Sequence, residues 1–383
     1  MKISSTDILF ILIIFQLLFL SLFLLTQKNG KQVSNILLGS FFLSICLNLL
    51  DLFLLQEGFY FSNPKLAGLG SCLPLLFGPL IYFYTKSVIY KNFSLRLKNI
   101  LHFLPFLLFC AGTEYYYLGR SHNEQENILS GFRSHHFPIV ISTISTLIFI
   151  QFLFYILASL NLISGYKKAS GQYFSDSKRL NVGWLYNTLI FFIVIIIISA
   201  LNGIIAQTHW VKYYLTVFNF IALFMLLYVI RVMMKALHKP DFFSISGEEE
   251  FYIQSRAYQL KSSSKPDNSE AGRVAQIVLE YVKENKPYLN PELTLDQLAS
   301  QLSLRPRVLS KVINEELGQN FYDFINRNRI EEASLLLNNP KDRKITVLEV
   351  LYEVGFNSKS SFNTLFKKYT GLTPSEFKKK SLH

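Results

Sequence analysis

Val347-Leu348-Glu349-Val350-Leu351-Tyr352-Glu353-Val354-Gly355-Phe356-Asn357-Ser358, then Ser361-Phe362-Asn363-Thr364-Leu365-Phe366-Lys367-Lys368-Tyr369-Thr370-Gly371, then Thr373-Pro374-Ser375-Glu376-Phe377, decides how the end of this chain is read. Val347, Val350, Leu351 and Val354 recur at helical spacing and make one apolar face; Phe362, Leu365, Phe366 and Tyr369 make the next. Gly355 supplies a turn between them. The pattern predicts a helix-turn-helix unit. Its second helix turns Lys359, Ser360, Asn363 and Thr364 outward, with Lys367 and Lys368 further along, all able to reach base edges or phosphates.

The same form occurs upstream, over 291–314. Thr294 is an N-cap candidate with Gln297 three residues on, the spacing of a capping box. Leu295, Leu298, Ala299 and Leu302 fall on one face. A turn follows at Ser303-Leu304, Pro306 occupies a helix start that tolerates it, and Leu309, Val312 and Ile313 form the next face. Arg307, Ser310, Lys311 and Asn314 are left outward, and Gly318 is a helix stop. A longer helix over 320–337, with Phe321, Phe324 and Ile325, joins the two units. Such a pair can enter successive major grooves on one side of a duplex.

Residues 271–380 resemble the DNA-binding domain of AraC-type (AraC/XylS) transcription regulators, most specifically through Gly355-Phe356, Phe362, Phe366-Lys367-Lys368 and Gly371-Leu372-Thr373-Pro374. The resemblance implies sequence-specific promoter binding by a regulator that is commonly an activator. Double-stranded DNA and RNA polymerase are the implied partners, and no enzyme activity is implied. By position, the family's base-contacting residues map to Arg307, Ser310 and Lys311 in the first unit and to Lys359, Ser360, Asn363 and Thr364 in the second. Two positions depart. Members often carry Arg where Thr364 stands, and Leu351 replaces the small Ala that Ala299 keeps in the first unit.

The rest of the chain is of another kind. Half of its 383 residues are hydrophobic and Phe alone numbers 35, while charged residues make up 17%. Seven apolar stretches reach the roughly 20 residues needed to span a bilayer: 8–26, 36–55, 66–84, 100–118, 137–162, 185–206 and 213–232. The third, with Pro74, Gly78 and Pro79, is expected to kink. Leu25-Thr26-Gln27-Lys28 offers no cleavage site, so the first stretch reads as a retained span rather than a signal. Residues 1–240 hold 18 Lys/Arg against 7 Asp/Glu, whereas 241–383 hold 20 against 19. The basic balance therefore belongs to the membrane part and says little about DNA. With the N-terminus outside, 13 of those 18 cations fall on the inner side, as the positive-inside rule asks. Seven spans then leave the C-terminus in the cytoplasm, where DNA is.

The expected fold class is all-α: a seven-transmembrane helix bundle followed by a cytoplasmic all-helical domain with two helix-turn-helix units. Residues 1–236 read as membrane sensor or anchor, 237–270 as a flexible linker around Lys261-Ser262-Ser263-Ser264-Lys265-Pro266, and 271–383 as the DNA-binding domain. The location implied is a bacterial inner membrane, multi-pass, with the lipid bilayer as a partner. Asn48, Asp51, Glu114, Asn202 and Asn219 lie in the outer parts of their spans and form a candidate pocket for a small-molecule effector, because polar groups at such depth face a bundle interior or water. A homodimer is a further expectation.

No cofactor and no metal site is expected. His122, Glu124, Glu126, His135 and His136 cluster in one loop without HxH or HxxxH spacing. Cys46, Cys72 and Cys110 read as packing residues, and His102 as a hydrogen-bonded one. The seventh span has no central Lys, and no Walker loop, GxSxG elbow or HExxH occurs. The competing reading is a transporter or scaffold whose tail binds protein; no internal repeat or catalytic constellation supports it.

Overall fold

A computed structural model describes residues 5–27, 31–90, 93–133, 139–171, 174–175, 182–206, 208–238, 268–338 and 345–381. The linker core at 239–267, together with His135 and His136, lies outside them, as does the Glu114 side chain. No β-strand occurs among the described residues; a lone antiparallel bridge pairs Phe174 with Thr294. The chain divides into two compact units: Met1–Ile163 with Asn181–Ser246, and Ser164–Leu180 with Gly247–His383.

The first unit is built from α1 (Ser5–Thr26), α2 (Gln32–Gln56), the short α3 (Phe59–Ser62), α4 (Pro74–Ile89), α5 (Leu97–Ile100), α6 (Leu104–Leu118), α7 (His122–Arg133), α8 (Ile139–Ser170) up to Ile163, α9 (Gly183–Ile205) and α10 (Tyr214–His238). Small residues set the closest approaches. Ser21 Oγ donates to the Gly39 carbonyl at 2.9 Å, and a Cβ on Gly39 would lie 2.8 Å from Leu25 Cγ, so α1 and α2 meet where no side chain intervenes. Gly78 does the same for α4: a Cβ there would lie 2.4 Å from the Tyr155 ring. Phe41 fills the interior against Phe42, Phe77 and Phe192. Large apolar side chains meanwhile face outward, Phe15 at 66% and Phe154 at 67% exposure among them. Such a belt is unfavourable in water and suits hydrocarbon.

Among the described residues six helical stretches are long and apolar enough to cross a membrane: Thr6–Thr26, Gln32–Gln56, Pro64–Ile89, Thr143–Ser170, Gly183–Ile205 and Val211–Lys235. The expected fourth span is not one of them. Pro105 stands in the first turn of α6, which runs for only 15 residues, and its C-terminal half is tyrosine-rich. Residues 97–118 nevertheless form an unbroken right-handed run, because α5, a 3-10 turn at Leu101–Phe103 and α6 follow without interruption. That run is roughly 30 Å long. It lies antiparallel to α4: His102 near its start rests on Phe83 at 5.1 Å, whereas Thr113 reaches Cys72, before α4 begins, at 3.5 Å. The run therefore lies alongside α4 in the opposite direction. In the third expected span Pro74 opens α4 and Pro79 lies inside it.

In the second unit α11 (Asn268–Asn285) precedes α12 (Leu295–Gln301), α13 (Pro306–Lys311) with a π turn at Val312–Glu316, α14 (Phe321–Leu337), α15 (Val347–Glu353), α16 (Lys359–Thr370) and α17 (Pro374–Ser381). Each start has a local cause. Thr294 and Gln297 cap α12 reciprocally, Thr346 and Glu349 cap α15 in the same way, Asn320 caps α14 and Ser358 caps α16. Each such cap is worth about 1 kcal/mol. Gly318, Gly355 and Gly371 all take positive φ, where a side chain would be strained.

Candidate nucleic-acid interface

The two helix-turn-helix units rest on separate apolar clusters that α14 joins. Leu295, Leu298, Ala299, Leu309, Val312 and Ile313 are buried under the first. Under the second, Val350, Leu351, Val354, Phe356, Phe362 and Phe366 pack against Ile330, Ala333 and Leu337 of α14. The rings of Phe356, Phe362, Phe366 and Phe377 follow one another with centroids 5.2, 5.5 and 5.3 Å apart. Leu351, where a small residue is usual, is 1% exposed and fills this cluster rather than disturbing it. Burying Phe362, Leu365 and Phe366 on one face fixes which face of α16 meets solvent.

That outward face carries Lys359, Ser360, Thr364 and Lys367, all exposed, with Asn363 half-buried beside them. The Thr364 hydroxyl donates back to the Ser360 carbonyl at 2.8 Å. Lys368 is engaged: its ammonium lies 2.9 Å from the Asp323 carboxylate at the start of α14, which Tyr369 also donates to at 2.9 Å. Burial works against the charge on Asp323, but Lys368, Tyr369 and Asn320 outweigh it and hold the carboxyl below its ordinary range. Lys368 is raised in turn by its hydrogen bond to Asp323.

In the first unit Arg307 and Lys311 are half-buried, and Lys311 pairs with Glu315 at 3.5 Å. Ser310 departs from its expected outward place: it is 5% exposed. Asn314 folds its amide over it, donating to the Ser310 carbonyl at 2.7 Å and reaching its hydroxyl at 3.3 Å.

Sequence pattern gave no hint of the group that fixes the scaffold between the units. Arg329, on α14, is 1% exposed. Its guanidinium donates to the Tyr288 carbonyl at 2.7 Å, the Asn290 carbonyl at 2.7 Å and Ser175 Oγ at 3.2 Å, and it lies over the Phe356 ring. Gly355 closes on the same loop: a Cβ there would fall 2.6 Å from the Leu289 carbonyl oxygen. Arg329 and Gly355 thus bring the second helix-turn-helix and the 288–290 loop together.

Of the residues of the expected effector pocket, Asn48 and Asp51 both lie against Gly70. Asn48 donates to the Gly70 carbonyl at 3.0 Å, and Asp51 accepts the Tyr60 hydroxyl at 2.7 Å. Asn202 donates to the Tyr214 carbonyl at 3.3 Å. Among the described residues no hydrogen bond joins Asn202 or Asn219 to Asp51. His122 faces Glu126 at 3.6 Å along α7, and His102 Nδ1 meets the Tyr155 hydroxyl at 2.7 Å.

The family "Helix-turn-helix domain" matches residues 298–380. Over 93 residues the chain is 39% identical to the transcriptional regulatory protein YesN of Bacillus subtilis, covering 24% of this chain and 25% of that one. It is 31% identical over 125 residues to an HTH-type transcriptional regulator of Pseudoalteromonas carrageenovora, covering 32% of this chain and 70% of the relative. Among solved structures, the C-terminal domain of the two-component response regulator yesN from Fusobacterium nucleatum aligns with 29% identity and a TM-score of 0.24, over 28% of this chain and 98% of that one. The chain spans only a quarter of the length of the Bacillus protein.

Proposed function

The chain belongs to the AraC-type helix-turn-helix transcription regulators, and from that premise we propose that it is a membrane-bound member which couples a signal at the bilayer to promoter binding. Its DNA-binding part is a helix-turn-helix unit of that family. The observation that carries the reading is the outward face of α16. Lys359, Ser360, Thr364 and Lys367 are exposed on a helix whose opposite face buries Phe362, Leu365 and Phe366. A helix held that firmly presents its polar side to a major groove in one register.

The proposed placement is multi-pass in a bacterial cytoplasmic membrane, with the N-terminus outside and the helix-turn-helix units in the cytoplasm. Six apolar helices and the 97–118 run, lying antiparallel to α4, support seven crossings. Lys31 supports a common inner side: its ammonium caps the end of α4 through the Ser87 and Tyr90 carbonyls, each at 2.9 Å. Base and phosphate contacts are assigned to Arg307, Ser310, Lys311 and Asn314 in the first unit and to Lys359, Ser360, Asn363, Thr364, Lys367 and Lys368 in the second; Ser310 and Lys368 must give up their present partners to take part.

Genome-wide DNA capture in cells, comparing the intact chain with Arg307→Ala/Lys359→Ala, tests the reading. Discrete peaks that disappear in the double variant are expected. Peaks that persist unchanged in the variant, or no peaks while the protein is present in the membrane fraction, would overturn it.

A further inference from the structure

The second unit contains a piece of chain from far outside the helix-turn-helix sequence. Residues Ser164–Leu180, the last turns of α8 and the segment that follows it, cluster with Gly247–His383. We propose that Gly171, Phe174 and Ser175 form a strap that holds the DNA-reading unit in its binding-competent shape, and that withdrawing the strap lowers its affinity for DNA. The proposal rests on the DNA-binding reading given above and adds the route by which the membrane part of the chain acts on it.

The strap fastens the starts of two helices. The Gly171 carbonyl accepts the Tyr322 N–H at 2.9 Å. Tyr322 lies in the first turn of α14, where backbone donors have no partner within the helix. The negative end of α8 is thereby set on the positive end of α14, the orientation helix dipoles favour. Phe174, 6% exposed, pairs with Thr294, the N-cap of α12. Ser175 does the most: its hydroxyl donates to the Leu293 carbonyl at 2.8 Å and accepts from Arg329, and its carbonyl accepts the Asn326 amide at 2.9 Å. Asn326 and Arg329 are each 1% exposed.

These are the points from which both reading helices are positioned. α12 packs directly on α13. Asp323, next to Tyr322, holds Lys368 and Tyr369 of α16. Arg329 holds the loop on which Gly355 closes. The recorded bonds of Gly171, Phe174 and Ser175 end on Tyr322, Leu293, Thr294, Asn326 and Arg329, the scaffold behind the reading helices. The proposed sign is therefore support of DNA binding. Without it, the Asn326 amide and the Arg329 guanidinium each lose a partner that fixes the scaffold between the two units. The fraction of competent reading units falls, and apparent affinity falls with it.

The test uses the full-length chain in lipid nanodiscs and a duplex that the wild-type chain selects from a random-sequence pool. In Phe174→Asp/Ser175→Ala, exchange of the Tyr322 amide should speed up at least tenfold and duplex affinity should fall about tenfold. Unchanged exchange would overturn the strap, and faster exchange with equal or tighter DNA binding would overturn its role. A second variant, Phe174→Cys/Thr294→Cys, fixes the strap when oxidised and guards against simple misfolding of the first. Its oxidised form should bind as tightly as wild type; weaker binding on oxidation would reverse the proposed sign. A wild-type chain that selects no duplex while Tyr322 stays protected would overturn the DNA-binding reading and, with it, the strap's effect on affinity, with docking itself upheld.

Discussion

The Lys368 ammonium lies 2.9 Å from the Asp323 carboxylate, so the C-terminal end of the second reading helix is moored to the first turn of the helix that joins the two units. The mooring titrates at both ends. Asp323 is held below its ordinary range, so its contribution is complete above the unfolded carboxylate value of about 3.9 and is lost as pH falls through the folded one. Lys368 is raised, so its contribution is complete below the unfolded lysine value of about 10.4 and is lost as pH rises through the folded one. Asp323→Asn should therefore cost stability on a plateau around neutral pH, fading at both extremes. Both partners are partly exposed, so the plateau is about 0.5–1 kcal/mol. Urea unfolding at several pH values measures it, and a difference that grows toward acid would contradict the assignment.

Gly355→Ala should be far more costly. The new methyl group would lie within 3 Å of the Leu289 and Tyr288 carbonyl oxygens, on a residue held at φ +86°. Backbone on both sides leaves nothing flexible to yield, and a loss of about 3 kcal/mol follows. Gly371→Ala has the same strain in open space and should cost about 1 kcal/mol. Thermal melts of the two variants should separate accordingly.

Arg329→Met removes a buried guanidinium and strands two carbonyl acceptors, at a cost of about 3 kcal/mol. Arg329→Lys should recover less than half. A single ammonium cannot reproduce two donors in a fixed plane, one toward Tyr288 and one toward Asn290. Equal stability of Lys and Arg at this position would show that charge alone is what matters.

For DNA, Lys359→Ala should reduce the slope of log affinity against log salt by about 1 if the side chain neutralises one phosphate. Ser360→Ala should leave that slope unchanged and relax base preference at one position. Titrating a selected duplex at several salt concentrations distinguishes the two.

Where sequence and structure agree, local rules were sufficient. Thr294 with Gln297, Gly318, Gly355 and the Phe362–Phe366 face each express chemistry within a few residues, and the apolar spans express composition alone. The departures share a different origin. Ser310 looks outward by periodicity, yet Asn314 folds over it, and a side chain closing on its own helix leaves no periodic trace. Arg329 sits on an amphipathic helix like any solvated cation; its burial comes from the distant 288–290 loop and Ser175. The strap is a contact across more than a hundred residues, invisible to any reading that proceeds window by window. Of the expected effector pocket, Asn48 and Asp51 find partners in Gly70 and Tyr60, which polarity alone could not foretell.

At 32 residues, α8 is the longest helix among the described residues, about 48 Å from end to end, whereas the hydrocarbon core of a bilayer is about 30 Å. The surplus is stiff rod. A span longer than its bilayer adjusts by tilting, and it tilts further as the lipid thins. On the membrane-bound reading proposed above, α8 would carry its tilt, and with it the thickness of the surrounding lipid, to its end beside Gly171.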